Sequence, residues 1–462
     1  MSSANDMLDF PNVSLDEYSV SLQNGFLPTE PPLRRLPNPY YNPWEDIMTD
    51  LPALIRSGDI RQKIRNLPAL STEKLHEEPE WRRAYLILAF LTHSYIWGGE
   101  RPEERLPPSI SCPFLEVASY LELPPCATYA ALNLWNFTTL SQNPDQDLTE
   151  PDNLAILNSF TGTDDERWFF VISVAIEACG AKVIPLVLNA IGAANLRDHE
   201  RVTQLLVEIT DCLAELSKIL ERMHEKCAPA VFYHQIRPFL AGSKNMAAAG
   251  LPRGVFYDQG DGSGEWRQYS GGSNAQSSLI QLFDIALGVE HWGSGEASSL
   301  KAPPPQRTFM MGMRNYMPGP HRRFLEYVAK IANIRSYAMS LPASSDVRQA
   351  YNAAVMMLGS FRDKHIQIVS RYIIAPARRQ HEPTPASLPG LNRINLATAT
   401  SQLSSHTSSF SVTSPGSDEP SSFDDAPQSP TKTLFYGTGG TALIPFLKQT
   451  RDETKAAARY AD

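Results

Sequence analysis

An all-α fold is what this sequence predicts, and three observations carry the prediction. Apolar residues recur at helical spacing over long stretches. Strict apolar/polar alternation flanked by hairpin turns is almost absent. Proline-rich breaks fall between the helical stretches, at Pro102 to Pro113 and at Pro124-Pro125.

Taken in order, residues 1–45 carry Pro28, Pro31, Pro32, Pro37, Pro39 and Pro43, which forbid a long helix and predict an extended arm. Helical periodicity begins near Trp44 and is strong from Trp81 to Tyr95. A small helical domain is expected over residues 46–130 and a larger one over 131–376. In the larger part, Thr163 and Glu166 have capping-box spacing, each side chain expected to satisfy the other's backbone donor. A helix over about 197–226 presents Val202, Leu205, Leu206, Ile209, Leu213, Leu216, Leu220 and Met223 as one stripe. A third runs from Asp346, a candidate N-cap, to Ile374, with Pro376 as its stop; at 1.5 Å per residue it is roughly 42 Å long. Residues 377–432 are dominated by Ser, Thr and Pro. They cannot bury enough apolar surface to offset the entropy of ordering, so they are expected to be disordered. A glycine-rich loop and a short helix follow over 433–462.

Composition narrows the function. The 462 residues are 42% hydrophobic, enough for two packed domains. A net charge of -9 does not suit a nucleic acid partner. Five scattered cysteines without a CxxC pair argue against structural zinc or a disulfide framework, and fit a reducing, cytoplasmic setting. No basic-then-apolar leader is visible at Met1, and no run reaches the roughly 18 uncharged apolar residues of a membrane span. The expectation is a cytoplasmic monomer without membrane or nucleic acid partners.

Among ten histidines, His365 stands out because it lies in the apolar stripe Val347, Tyr351, Ala354, Leu358, Phe361, His365, Ile368, Tyr372. A histidine so placed is more often a satisfied core residue than a ligand. Arg362, three residues earlier, shares its face, and a cation beside an axial histidine suits a haem propionate. No other His/Asp/Glu cluster is evident, against the two histidines and carboxylate of a non-haem iron site. Phe169 and Ser173 share a helix face; the plain reading is a core aromatic and a serine bonded to the backbone. The Gly-Gly pair at Gly271-Gly272 lets backbone approach a ligand closely, and neither it nor Gly437-Thr-Gly-Gly-Thr441 follows a strand as a phosphate loop would. Arg237, among aromatics, is either a structural partner or the receiver of a carboxylate.

Together these segments resemble the indoleamine 2,3-dioxygenase family over nearly the whole ordered chain. The resemblance is carried by Leu36-Pro-Asn-Pro-Tyr-Tyr-Asn-Pro-Trp-Glu45, Tyr95-Ile-Trp-Gly-Gly99, Leu121-Glu-Leu-Pro-Pro-Cys-Ala-Thr-Tyr129, Trp168-Phe-Phe-Val-Ile-Ser-Val-Ala-Ile-Glu177, Gly271-Gly-Ser-Asn-Ala-Gln-Ser-Ser278, Met313-Arg-Asn-Tyr-Met-Pro-Gly-Pro-His-Arg322, His365-Ile-Gln-Ile-Val-Ser-Arg-Tyr-Ile373 and Gly437-Thr-Gly-Gly-Thr441. It implies a haem b enzyme that inserts both atoms of O2 across the indole C2–C3 bond of L-tryptophan to give N-formylkynurenine, the first step toward NAD. It further implies His365 as proximal iron ligand, Arg362 as propionate partner and Ser173 as a positioning hydroxyl in the catalytic pocket. Tyr129, Phe169, Phe232, Gly272 and Ser273 are expected around the substrate, with Arg237 on its carboxylate and Thr438 on a closing loop. Leu132 stands where some relatives have cysteine and Asn274 where they have alanine, each able to reshape the pocket. Two other readings are a haem- or oxygen-binding sensor, which has no need of a carboxylate clamp, and a scaffold signalling through Ser414-Pro415 and Ser429-Pro430.

Replacing residues 380–430 by a short Gly/Ser linker is expected to leave haem content and turnover intact, since the composition supplies no packing core; loss of haem in the shortened chain counts against this.

Overall fold

The computed structural model describes residues 14–141, 147–292, 308–379, 435–438 and 442–458. The Ser/Thr/Pro-rich stretch lies outside them except for 377–379, which belong to or directly follow a short helical turn, Ala375–Arg378.

The N-terminal part is built from α1 (Asn42–Ser57), α2 (Ile60–Arg65), α3 (Glu78–Trp97) and α4 (Pro108–Tyr120). The arm before it is irregular but pinned, with Val20, Phe26, Leu27 and Leu36 buried. The larger part contains α5 (Asp164–Gly180), α6 (Val183–Asn195), α7 (His199–Glu221), α8 (Ser278–Ala286), α9 (Gly319–Ile331), α10 (Ile334–Met339) and α11 (Asp346–Val369), closed by α12 (Leu443–Ala456). The sequence boundary near residue 130 falls at a π-helical turn, Ala130–Leu134, and one apolar core runs across it from Val20 to Ala457. α3 reaches across too: His93 Nδ1 donates to Phe239 O (2.7 Å), its Nε2 accepts from Ala127 N (2.9 Å), and Trp97 Nε1 donates to Ala241 O (2.9 Å).

The all-α reading holds, with four local corrections. Five short strands occur among the described residues: β1 (Arg105–Leu106), β2 (Phe137–Thr139), β3 (Leu154–Ile156), β4 (Val255–Gly260) and β5 (Ser263–Arg267). β1 pairs parallel with β4, and β2 pairs antiparallel with β3. β4 and β5 form an antiparallel hairpin whose turn holds Asp261 and Gly262, both at positive φ; Asp-Gly is a turn signal that the sequence carried and the helical reading passed over. The capping box is half formed. Thr163 Oγ1 accepts from Glu166 N at 3.2 Å, but the fully buried Glu166 carboxylate turns back to Phe160 N (2.8 Å) and Thr161 N (2.7 Å), a richer set of donors than the cap offers. The N-cap of α11 is Ser345, its side chain accepting from Arg348 N, and Asp346 is the first helical residue. Pro376 does not stop the chain's winding. A π-turn, Ser370–Ile374, follows α11, and Pro376 then sits in the first turn of Ala375–Arg378, where its missing N–H costs nothing.

The segment Asp164–Asn195 is long and apolar enough by length and composition to cross a membrane, yet 67% of its most apolar window is buried inside the protein, where α5 and α6 form core walls.

α12 is fastened by buried charge. Arg362 on α11 pairs with Asp284 on α8 (2.7 Å) and donates to Thr454; His291 bridges Asp284 (3.0 Å) and Glu453 on α12 (2.7 Å). These two carboxylates raise His291 from its ordinary 6.5 to about 9 against the cost of burial. The folded pKa lies above the unfolded one, so the stabilisation is complete below about pH 6.5 and fades as pH rises through about 9. The thermal midpoint is therefore expected to fall between pH 6.5 and 9 in the native chain and much less in His291→Gln; parallel curves for the two proteins exclude this role.

Candidate functional site

A mostly apolar cavity opens between α5, α8, α11 and α12, with an empty volume of about 1780 Å³ counted out to its mouth. All ten residues singled out from the sequence line it: Tyr129, Phe169, Ser173, Phe232, Arg237, Gly272, Ser273, Arg362, His365 and Thr438. Leu132 and Asn274, the two departures, line it as well.

The wall opposite His365's helix comes from α5. Phe169, Ser173 and Glu177 follow at four-residue intervals and so share one face. Phe169 meets Phe232 with ring centroids 4.9 Å apart, and Phe232 meets Tyr372 edge-on at 5.8 Å, giving an aromatic slot. Behind Ser173, Tyr129 donates to Glu177 Oε1 at 3.0 Å and Ser277 donates to the same oxygen at 2.6 Å. Burial pushes Glu177 up to about 7, the two hydrogen bonds pulling the other way. The motif Trp168–Glu177 held this residue in plain view; its spacing from Ser173 was the signal that it belonged to the site. Asp284, partner of Arg362, had no such signal, being 78 positions away in sequence.

His365 supplies the facing wall. Its imidazole has no hydrogen-bond partner among the described residues, which separates it from the two other histidines sunk in the core. His93 has both ring nitrogens bonded, and His321 faces Ser278 Oγ at 3.4 Å. His365 is half-buried by surface area only because it faces the cavity; apolar surroundings, aided by Arg362, press it down to about 4. It is thus held neutral on the lining of an apolar cavity, the form in which histidine binds a metal. The residues fit a haem held from this side. No group of three or more His, Cys, Asp or Glu side chains among the described residues is arranged to hold a bare metal ion. Arg362 reaches the cavity but is already engaged by Asp284 and Thr454.

The mouth is framed by backbone. Gly271 N donates to Thr438 O (3.0 Å) and Thr438 Oγ1 to Gly272 O (2.8 Å), so the C-terminal loop lies on the glycine pair. A Cβ on Gly271 would fall 2.0 Å from the backbone oxygen of Leu240, so that position requires glycine; one on Gly272 would fall 2.5 Å from Leu132 Cδ1, so the leucine side chain would have to shift. Ser273 caps the turn Asn274–Gln276 through Ala275 N. Arg237 starts a short helical turn, Arg237–Leu240, after the π-turn Phe232–Ile236. It is 3% exposed, its Nη2 donates to Tyr436 O (2.9 Å), and its Nε has no partner. Burial lowers its pKa, and no carboxylate among the described residues offsets that shift.

The sequence profile described as indoleamine 2,3-dioxygenase matches residues 14–457. The chain belongs to the indoleamine 2,3-dioxygenase family. It is 43% identical over 453 residues to an indoleamine 2,3-dioxygenase of Aspergillus candidus, covering 97% of this chain and 98% of that one. It is 39% identical over 453 residues to the Saccharomyces cerevisiae indoleamine 2,3-dioxygenase (96% and 93% covered). It is 37% identical over 440 residues to a 6-hydroxytryptophan 2,3-dioxygenase of Fusarium equiseti (95% and 96% covered). As a member of this haem-dependent family it is a dioxygenase, an oxidoreductase of tryptophan-like indoles and O2.

His365→Ala is expected to abolish stable haem binding with helicity largely kept. A purified variant with normal haem content and Soret band contradicts the ligand assignment.

Proposed function

We propose that this enzyme opens the indole ring of L-tryptophan, giving N-formylkynurenine, as the first step of the kynurenine route toward NAD, and that it works as a cytoplasmic monomer. The observation that carries the substrate reading is Arg237: a buried guanidinium with no anion beside it among the described residues, on the wall of a cavity that His365 faces. Burying an unpaired cation is costly, and the cost is recovered when a ligand carboxylate supplies charge-assisted bonds. A sensor of O2 alone would not need this group.

His365 would hold haem b from the α11 wall, with Arg362, itself steadied by Asp284, beside the haem edge. When bound, the haem supplies the binding and activation of O2. The protein's part is placement. Phe169 and Phe232 grip the indole plane, and Arg237 fixes the amino-acid end. Ser173, backed by Tyr129 and Glu177, offers its hydroxyl oxygen to the indole N–H. The loop at Tyr436 to Thr438 lies over Arg237 and Gly272 and excludes water. Such positioning is worth several kcal/mol of barrier, about 7–11 in well-oriented systems. No side chain in this wall is set up as a general base for the indole: Glu177 is buried behind Tyr129 and its ionisation is held back to about 7.

Formation of N-formylkynurenine from L-tryptophan, with ascorbate and methylene blue as reductant, tests the activity directly. The clamp is tested by Arg237→Lys. A charge-assisted bond contributes about 1.5–3 kcal/mol, so kcat/KM for L-tryptophan is expected to fall roughly 10- to 150-fold. Lysine cannot restore the bidentate fork. Tryptamine, which has no carboxylate, should change little, and haem content should hold. Equal losses on both substrates would rule out a carboxylate clamp.

A further inference from the structure

Among the described residues, the cavity wall carries two buried polar side-chain atoms without a hydrogen-bond partner: Arg237 Nε and Asn133 Oδ1. The first is a donor, answered by a carboxylate. The second is an acceptor and calls for a donor. Asn133 is 5% exposed and lies in the π-turn Ala130–Leu134. Its amide nitrogen donates to Tyr129 O at 3.3 Å. Only the nitrogen can make that bond, which fixes the amide's orientation and leaves the oxygen as the free end. The apolar side chains of Leu132, Phe170 and Ile172 line the cavity with it. A leucine or valine here would pack without leaving an amide oxygen unsatisfied, so the asparagine favours a ligand that brings a proton to it.

We propose that Asn133 is a specificity-determining residue that selects tryptophans bearing a hydrogen-bond donor on the benzo ring, in the simplest case a ring hydroxyl donating to Asn133 Oδ1. The inference rests on the reading of Arg237 as the carboxylate clamp: the two unsatisfied atoms are complementary to a ligand with an anion at one end and a donor at the other. The indole N–H is not that donor. On the proposed reading that N–H is taken by the Ser173 hydroxyl on α5. The turn carrying Asn133 packs on α3 and α5. The benzo edge, directed away from the reacting bond, is what reaches this wall. A site built to hydrogen-bond a substrate hydroxyl discriminates against the analogue lacking it, because its own polar atom is then left bare.

The test uses the full-length, haem-loaded enzyme and kcat/KM for L-tryptophan and its 5-, 6- and 7-hydroxy derivatives. The native chain is expected to prefer at least one hydroxylated isomer over L-tryptophan by about 3- to 10-fold, the range of one neutral hydrogen bond. In Asn133→Leu the preference falls to about one, whatever happens to the absolute rates. Asn133→Ala, smaller than the native side chain, must show the same loss, which covers misfolding of the leucine variant. Absence of any isomer preference in the native chain overturns the proposal. So does a preference that survives both substitutions, or one abolished along with turnover of L-tryptophan but kept for its N1-methyl derivative, which would give Asn133 to the indole N–H. If Arg237→Lys also leaves L-tryptophan use untouched, the clamp reading has failed; if that variant behaves as expected and the isomer ratios do not move, Asn133 alone has been misassigned.

Discussion

The cavity exists because α7 packs against both α5 and α11 and holds them apart. Helical proteins close gaps of this size, since empty apolar space forfeits dispersion contacts. Here the stripe from Val202 to Leu220 gives α7 so much buried surface that the two flanking helices are fixed on it, and neither can slide toward the other without opening that core. Phe169 and Ser173 on one helix, and His365 on the other, inherit their separation from this third helix, which contributes only its end, Leu220, to the cavity wall. The site's width is a property of the core.

Three π-helical turns then shape the wall: Ala130–Leu134, Phe232–Ile236 and Ser370–Ile374. Each places an extra residue in a turn, a conformation poorer in packing than the α-helix and frequent at functional sites. Each delivers wall residues: Leu132 and Asn133, Phe232, and Tyr372 with Ile373. The surroundings hold these turns in place. Tyr372 donates to Cys227 O at 2.8 Å, and Tyr129, at the edge of the first turn, is gripped through its N–H by Gln276 and through its hydroxyl by Glu177. The wide turns are where the chain departs from its most stable local form in order to aim side chains inward.

The periodic parts of this architecture were legible in the sequence. The stripes of α7 and α11 emerge with the residues expected of them, because a 3.6-residue period reports burial directly. Short strands were missed because two or three residues of pairing leave no period to read; the Asp261-Gly262 turn was the readable part. Motif likeness gathered ten residues into one cavity, but spacing could not show what each does there. Arg362 illustrates the limit. Its place beside His365 follows from helix geometry, whereas its pairing with Asp284, 78 positions away, is a long-range fact. The same holds for His291, whose two carboxylate partners lie 7 and 162 positions away.

The contrast between the two arginines explains how one scaffold can be rigid at one end of the cavity and receptive at the other. Arg362 belongs to a cluster with two cations and two carboxylates, Arg362, His291, Asp284 and Glu453, so its charge is balanced within the fold and its geometry is set before any ligand arrives. Removing one partner there would strand a buried charge, which makes the α8, α11 and α12 junction a stiff back wall. Among the described residues Arg237 has only a neutral carbonyl, that of Tyr436, and an aromatic ring, that of Tyr233, with its guanidinium carbon 5.5 Å from the ring centroid. Neither neutralises a charge. A carboxylate that does so gains more from this site than from water, and it arrives beside the loop that Tyr436 and Thr438 anchor. On the proposed clamp, substrate capture and the seating of that loop act on the same guanidinium, and the end of the cavity that was left electrostatically incomplete is the end that ligand binding would complete.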